Sequence, residues 1–265
     1  MGFGFYKYQG TGNDFIMIDN RNGLFSATQQ QIEMLCHRRF GIGADGLILI
    51  ENTPEADFRM VYYNSDGRLS SMCGNGGRCI VAFAVHLGIA KPDSLLRFLA
   101  VDGLHVAIIK QTIPHGFIVD LEMQPVHGIE QPNASTAILN TGSPHYVTLY
   151  NDLDSLDLIK EARAIRYNER FAAQGINVNF IQRDGSNLKV RTYERGVENE
   201  TFSCGTGVVA SYLAAEILLN GFKPDKILTK GGELQVTAEK ISPGNYTQVH
   251  LIGPAVKVFE GKIPL

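Results

Sequence analysis

Cys73-Gly74 and Cys204-Gly205 lie 131 positions apart in a chain of 265 residues, and each pair stands where a helix must begin. Behind the first, Gly74, Gly76 and Gly77 permit a tight backbone, and Ile80, Val81, Phe83, Ala84, Val85 and Leu87 continue as a largely apolar helix that Gly88 stops. Behind the second, Gly205 and Gly207 lead into Val208, Val209, Tyr212, Leu213 and Ile217, with Asn220-Gly221 as the matching stop. Thr11-Gly12-Asn13-Asp14-Phe15 matches Thr141-Gly142-Ser143-Pro144-His145 at an offset of 130, as do Tyr63 with Tyr193, Phe98 with Leu228 and Val106 with Val236. Several landmarks in one register predict two related half-domains, each placing one cysteine, with a substrate between them.

The pass along the chain fills in those halves. Phe3 to Tyr8 and Phe15 to Ile18 read as a hairpin, and Thr28 to Gln31 as a capping box opening a helix to about Arg39. Gly41-Ile42-Gly43-Ala44-Asp45-Gly46 is a glycine-rich turn that lacks the Gly-Lys-Ser/Thr ending of a phosphate loop. Strands follow at 47–51 and 58–63, then the first cysteine helix, then 95–101, 104–110 and 117–121. Gln124 to Asn133 holds two prolines and a glycine and is the candidate crossing between halves. The second half repeats the order, with strands at 146–150, 177–182 and 188–194, a helix within 154–167, and closing strands at 227–229, 234–239, 246–251 and 256–259.

Strands outnumber helices, and each half carries one strongly apolar helix for its strands to wrap. The predicted class is therefore α+β, built as two pseudo-symmetric half-domains. Each is a curved, mostly antiparallel sheet or barrel around a central helix. The first covers residues 1–124 with a closing strand at about 256–265, and the second covers 125–255.

With 24 Lys and Arg against 27 Asp and Glu and no basic run, nothing points to nucleic acid or an anionic membrane, so the expected partner is a small molecule. No stretch is long and apolar enough to span a bilayer, and Met1 to Gly10 lacks the plan of a signal peptide, which makes a cytoplasmic protein the expectation. Four cysteines do not form a disulfide framework in that setting. Cys36 and Cys79 fall within helical patterns and read as small buried hydrophobes.

Cys73 and Cys204 are different. A helix start offers unpaired N–H groups and the positive end of the macrodipole, so a thiol there ionises readily and a carboxylate is welcome. Neither Cys-x-x-Cys spacing nor additional nearby zinc ligands surround them, and a lone nucleophile would leave the second copy unexplained. An acid–base pair explains the symmetry, since inverting a stereocentre removes a proton from one face and delivers one to the other. Backbone N–H groups of Gly74, Asn75, Gly205 and Thr206 are candidates to grip an α-carboxylate as the carbanion develops.

These residues resemble the diaminopimelate epimerase family. The likeness rests on Lys7-Tyr8-Gln9-Gly10-Thr11-Gly12-Asn13-Asp14-Phe15, Gly41 to Gly46, Asp66-Gly67, Met72-Cys73-Gly74-Asn75-Gly76, Arg78-Cys79, Asn177-Val178-Asn179-Phe180, Tyr193-Glu194-Arg195-Gly196 and Cys204-Gly205-Thr206-Gly207. The resemblance implies a homodimer that interconverts LL- and meso-diaminopimelate on the route to lysine and peptidoglycan, with Cys73 and Cys204 as the two bases and with neither pyridoxal phosphate nor metal. It further implies substrate contacts from Asn13, Asn64, Ser143, Asn177, Glu194 and Arg195. His145 and Glu194 become candidates for setting the protonation of the thiols, with a buried, satisfied histidine as the bland alternative for His145. The chain departs from the family pattern at Ser143, where an asparagine is usual, and at Arg68 and Ser70-Ser71 ahead of the first cysteine. Rival readings are proline or hydroxyproline racemases, phenazine-pathway isomerases, and a thiol-based redox sensor.

Overall fold

A computed structural model describes residues 2–70 and 72–264; Met1, Leu265 and the Ser71 of the Ser70-Ser71 pair lie outside the described residues. In chain order the elements are β1 (Gly2–Gly10), β2 (Asn13–Asp19), α1 (Gln29–Cys36), β3 (Gly46–Glu51), β4 (Phe58–Asn64), α2 (Gly74–His86), β5 (Leu95–Ala100), β6 (Gly103–Ile113) and β7 (Gly116–Met123). They continue with β8 (Glu130–Asn133), β9 (Thr136–Asn140), β10 (Pro144–Leu149), α3 (Leu158–Arg166), β11 (Asn177–Asp184), β12 (Asn187–Glu194), β13 (Asn199–Thr201), α4 (Gly205–Leu218), β14 (Ile227–Thr229), β15 (Gly232–Ser242) and β16 (Asn245–Pro264). The chain divides into two compact units, Met1–Leu121 with Gly253–Leu265, and Glu122–Ile252. Among the described residues no helix is long and apolar enough to cross a membrane.

In the first unit β1 to β7 follow one another around a sheet that the C-terminal part of β16 closes by pairing with β1, from Gln9 opposite Val256 to Gly2 opposite Pro264. Two pairs are parallel, β2 with β3 and β4 with β5, because α1 and α2 make the crossovers; the hairpin pairs are antiparallel. The second unit repeats this plan. β10 and β11 are parallel across α3, and β12 and β14 are parallel across α4. A bridge from Val126 to Tyr246 ties the start of the unit to β16. The α+β class and its twice-built barrel hold as expected from the sequence.

Strand alternation explains how each barrel buries one helix within it and packs a second against its outer face. In β2 and β3, Ile16, Ile18, Leu47 and Leu49 pack on the outer face with Ile32 and Cys36 of α1. Their neighbours Phe15 and Ile48 point inward at Gly76 of α2, where an added Cβ would meet Ile48 Cδ1 at 3.0 Å. β11 does the same, sending Val178 and Phe180 to the α3 side and Ile181 to the cluster around α4. Nearly every side chain of α2 through Ala84 is buried, as is most of α4, which is what a helix apolar on all sides demands. Cys36 and Cys79 are buried in these cores, and burial pushes both thiols up to about 12.

Three sequence expectations change. α1 ends at Cys36 rather than Arg39, because the glycine-rich turn folds back on its last carbonyls: Ile42 and Gly43 donate to Leu35 O and Ala44 donates to Cys36 O. That turn is a helix cap, and a Cβ at Gly41 would strike Met34 O at 2.0 Å. The segment expected as the crossing, 124–133, is part of the second unit's sheet, through buried Val126 and β8; the chain changes unit within β7. Finally the strands expected at 246–251 and 256–259 are one strand, β16, whose Gly253-Pro254 stays extended instead of breaking it.

Candidate active site

Cys73 and Cys204 occupy the same local position in their units, each the extended residue ahead of the central helix. Their backbone angles are φ −112°, ψ 126° and φ −112°, ψ 111°, and neither side chain caps its helix. In both, the cysteine carbonyl accepts the first helical bond, from Gly77 N at 2.7 Å and from Val208 N at 2.9 Å. A residue that opens a helix without bonding its N–H groups leaves its own head group available for other chemistry.

In the first unit Cys73 is half-buried, with Sγ 3.6 Å from Asn13 Oδ1. That oxygen also accepts from Asn75 Nδ2 at 3.2 Å. The Asn13 amide cannot be turned over, because its Nδ2 donates to Asp45 Oδ2 at 2.6 Å, and Asp45 is held by Arg38. Asp14 pairs with Arg38 and with buried Lys7, each at 2.7 Å. Burial opposes ionisation of Asp14, but the bonds from Arg38 and Lys7 outweigh it and hold the carboxyl below its ordinary value. Gly74 and Asn75 are buried in the first turn of α2. Asn64 stands at the end of β4, opposite Gly46, with its side chain exposed.

The second unit carries two clusters. In one, Asn177 Nδ2 donates to Ser143 Oγ at 2.9 Å and to Pro144 O, while its Oδ1 accepts from Arg195 N at 2.9 Å. Arg195 Nη2 also reaches Ser143 Oγ at 3.4 Å, so the departure at position 143 keeps a polar partner for both residues. Glu194, half-buried at the end of β12, precedes Arg195 and pairs in register with Asn199.

In the other cluster, buried His145 sits between Asn179 and Thr206. Asn179 Nδ2 donates to Tyr146 O at 3.2 Å and its Oδ1 accepts from Thr192 at 2.9 Å, so the same Nδ2 donates to His145 Nδ1 at 3.0 Å. The imidazole proton is therefore on Nε2, which donates to Thr206 Oγ1 at 2.9 Å. Thr206 Oγ1 in turn lies 3.5 Å from Cys204 Sγ, and its hydroxyl hydrogen is left to point at that sulfur. Burial first, and then the Arg195 charge, push His145 down to about 3, so it is neutral. Gly207 allows the close approach: a Cβ there would meet Asn179 Oδ1 at 2.5 Å.

The sequence-derived residues thus gather as Asn13, Cys73 and Asn75 in one unit, and as Ser143, Asn177 and Arg195, and His145, Thr206 and Cys204, in the other. Three residues were passed over. Asn179 shares the inner face of β11 with Asn177 and was within reach of the period-two rule. Thr192 and Asp45 offered no such signal, since their partners come from distant strands. Among the described residues no group of three or more His, Cys, Asp or Glu is placed to hold a metal ion.

Solved structures share this architecture. A phenazine biosynthesis protein of the PhzF family from Bacillus anthracis superposes with a TM-score of 0.75 at 13% identity, covering 100% of both chains. A hydroxyproline epimerase from Agrobacterium vitis, with bound trans-4-hydroxy-L-proline, gives 0.69 at 13% identity, covering 100% of this chain and 93% of its own. The fold therefore belongs to a class that includes epimerases and PhzF-family proteins. Sequence narrows the class. The profile of the family described as diaminopimelate epimerase matches residues 5–112 and 137–258. A diaminopimelate epimerase of Flavobacterium psychrophilum is 47% identical over 261 residues, covering 97% of this chain and 99% of its own length. One from Chlorobaculum tepidum is 41% identical over 265 residues, covering 97% and 99%. The chain belongs to the diaminopimelate epimerase family.

Proposed function

We propose that this chain epimerises LL-2,6-diaminopimelate to the meso form without a cofactor, in lysine and peptidoglycan biosynthesis. The observation that carries the reading is the pair of cysteines placed alike at the starts of α2 and α4, in a chain of this family. One sulfur, as thiolate, takes the α-proton; the C–H electron pair remains on carbon as a carbanion. The other sulfur, as thiol, returns a proton on the opposite face, so the stereocentre inverts and the two sulfurs exchange protonation states. First-turn N–H groups of Gly74, Asn75, Gly205 and Thr206 would hold the α-carboxylate and the developing charge.

The distal amino acid centre, which does not react, would be held by Asn13, Asn64, Ser143, Asn177, Glu194 and Arg195. A guanidinium suits its carboxylate and amide or carboxylate oxygens suit its ammonium. His145 enters as a neutral positioning residue rather than a proton carrier, since its one proton is committed to Thr206. The same reading makes the enzyme a cytoplasmic homodimer, an inference carried by family resemblance.

The test is α-proton exchange in deuterated water with reductant present, supplying LL-diaminopimelate and proline in parallel. Deuterium entering diaminopimelate with conversion to the meso form is the expected result, and Cys73→Ala and Cys204→Ala should each abolish conversion. Exchange with proline alone would overturn the substrate. Full conversion by either cysteine variant would overturn the two-thiol mechanism.

A further inference from the structure

Arg78 is fully buried in α2, five residues after Cys73. Its guanidinium turns back toward the start of the helix. Nη2 donates to Asn75 Oδ1 at 3.0 Å and to Thr11 Oγ1 at 3.3 Å, Nη1 to Gly74 O at 3.4 Å, and Nε to Pro254 O at 3.5 Å. All four acceptors are neutral. A buried arginine normally has a carboxylate, and removing a guanidinium from water without one is costly.

Among the described residues no carboxylate bonds to it or acts on its charge. Lys7, Arg38, Asp14 and Asp45 form a set of two cations and two anions bonded to one another. On the other elements packed against α2, Tyr8 of β1 is neutral, its phenol pushed up by burial, and His105 of β6 faces Asp102 at 2.9 Å. Glu51, at the far end of β3, bonds Asn20. Cys79 is a buried thiol. Burial lowers Arg78 to about 10, which leaves it charged at neutral pH, and the acidic groups acting on it are Cys79 and Cys73.

The repeat provides the control. Counting five residues from Cys204 reaches Val209, also fully buried in its helix. The fold therefore accommodates an aliphatic side chain at this position, and the arginine answers some other demand.

We propose that Arg78 is a positioning residue for Cys73: its guanidinium, matched by no carboxylate among the described residues, makes the Cys73 thiolate accessible, and its bond to Asn75 fixes the amides facing that sulfur. Asn13 Oδ1 is an acceptor and favours the thiol. The Arg78 charge favours the thiolate. A reversible two-base reaction needs Cys73 in both forms, and the opposing influences keep both within reach. The Arg78–Asn75–Asn13–Asp45 chain of bonds gives each amide a single orientation, so loss of Arg78 frees Asn75 as well as removing charge.

The inference rests on the two-thiol reading, and the two can fail separately. The freshly reduced chain is alkylated with iodoacetamide across a range of pH, and the rate at Cys73 and at Cys204 is read by peptide mass spectrometry. Access scales each rate but not its pH midpoint. In the unsubstituted chain Cys73 should titrate below the ordinary thiol value of about 8.5. Arg78→Met should raise its midpoint by about one unit or more, a tenfold loss of thiolate at lower pH. The Cys204 midpoint should stay in place, and Arg78→Lys should recover most of the shift. An unmoved Cys73 midpoint in folded Arg78→Met overturns the inference. If that variant does not fold, a Cys73 midpoint at or above 8.5 in the unsubstituted chain overturns it and one below supports it. Activity surviving in Cys73→Ala would sink the two-thiol reading while leaving these midpoints standing.

Discussion

His145 ties the stability of the second unit to pH in a way that can be worked out from its neighbours. Its Nδ1 faces the Asn179 amide nitrogen at 3.0 Å, an N–H donor locked in place by Tyr146 O and Thr192. Burial, which disfavours the charged imidazolium, and then the nearby Arg195 charge bring the folded value down to about 3, and a proton added at Nδ1 would also set two donors against each other. In the unfolded chain the imidazole titrates near 6.5. Between these values the unfolded state binds more protons, so stability is complete above about 6.5 and is lost as pH falls toward 3. Each pH unit in that window costs about 1.4 kcal/mol, so at pH 5 the loss is about 2 kcal/mol. His145→Gln removes this dependence, whatever its own effect at neutral pH. Urea unfolding of both proteins at pH 7 and pH 5, followed by circular dichroism, should show the gap between them shrink by about 2 kcal/mol. Parallel losses in the two proteins, or an imidazole nitrogen signal titrating near 6.5 in the native chain, would refute the reasoning.

Gly207→Ala should force the start of α4 away from Asn179, whose Oδ1 would lie 2.5 Å from the new Cβ. Overpacking of this kind costs about 1–3 kcal/mol, so a lower melting temperature is expected together with a fall in kcat larger than the change in KM. Ser143→Ala removes the acceptor shared by Asn177 and Arg195. Loss of about 1 kcal/mol of positioning should raise KM for diaminopimelate about fivefold with kcat nearly unchanged, as steady-state kinetics would show.

What could be read from the chain itself was whatever is local and repeated. Cys73 and Cys204, the glycines after them and the apolar runs behind them sit within one or two helical turns, so their meaning did not depend on distant partners. The offset of 130 then made each half a check on the other, and the α+β barrels followed. Burial was harder to read. Arg78 stood in plain view inside a motif, yet its importance lies in being enclosed with no carboxylate counterion among the described residues, which only the packing of Thr11, Pro254 and Gly10 around it reveals. A Cβ on Gly10 would come within 3.3 Å of its Nη2. Asn179 was legible but unread, one alternation away from Asn177. The gap expected between the strands at 246–251 and 256–259 is absent because proline's fixed φ suits an extended strand wherever its missing N–H is not needed.

The long strand β16 has a consequence for how the chain is made. The second barrel possesses all its strands once residue 252 has been synthesised, since its share of β16 ends there. The first barrel begins at residue 2 but stays open along β1 until residues 256–264 arrive to pair with it. A ribosome releasing this protein therefore delivers its halves in inverted order, with the half that starts first being the last able to close. Until then the unpaired edges of β1 and β7, both of which β16 covers, need protection from other strands.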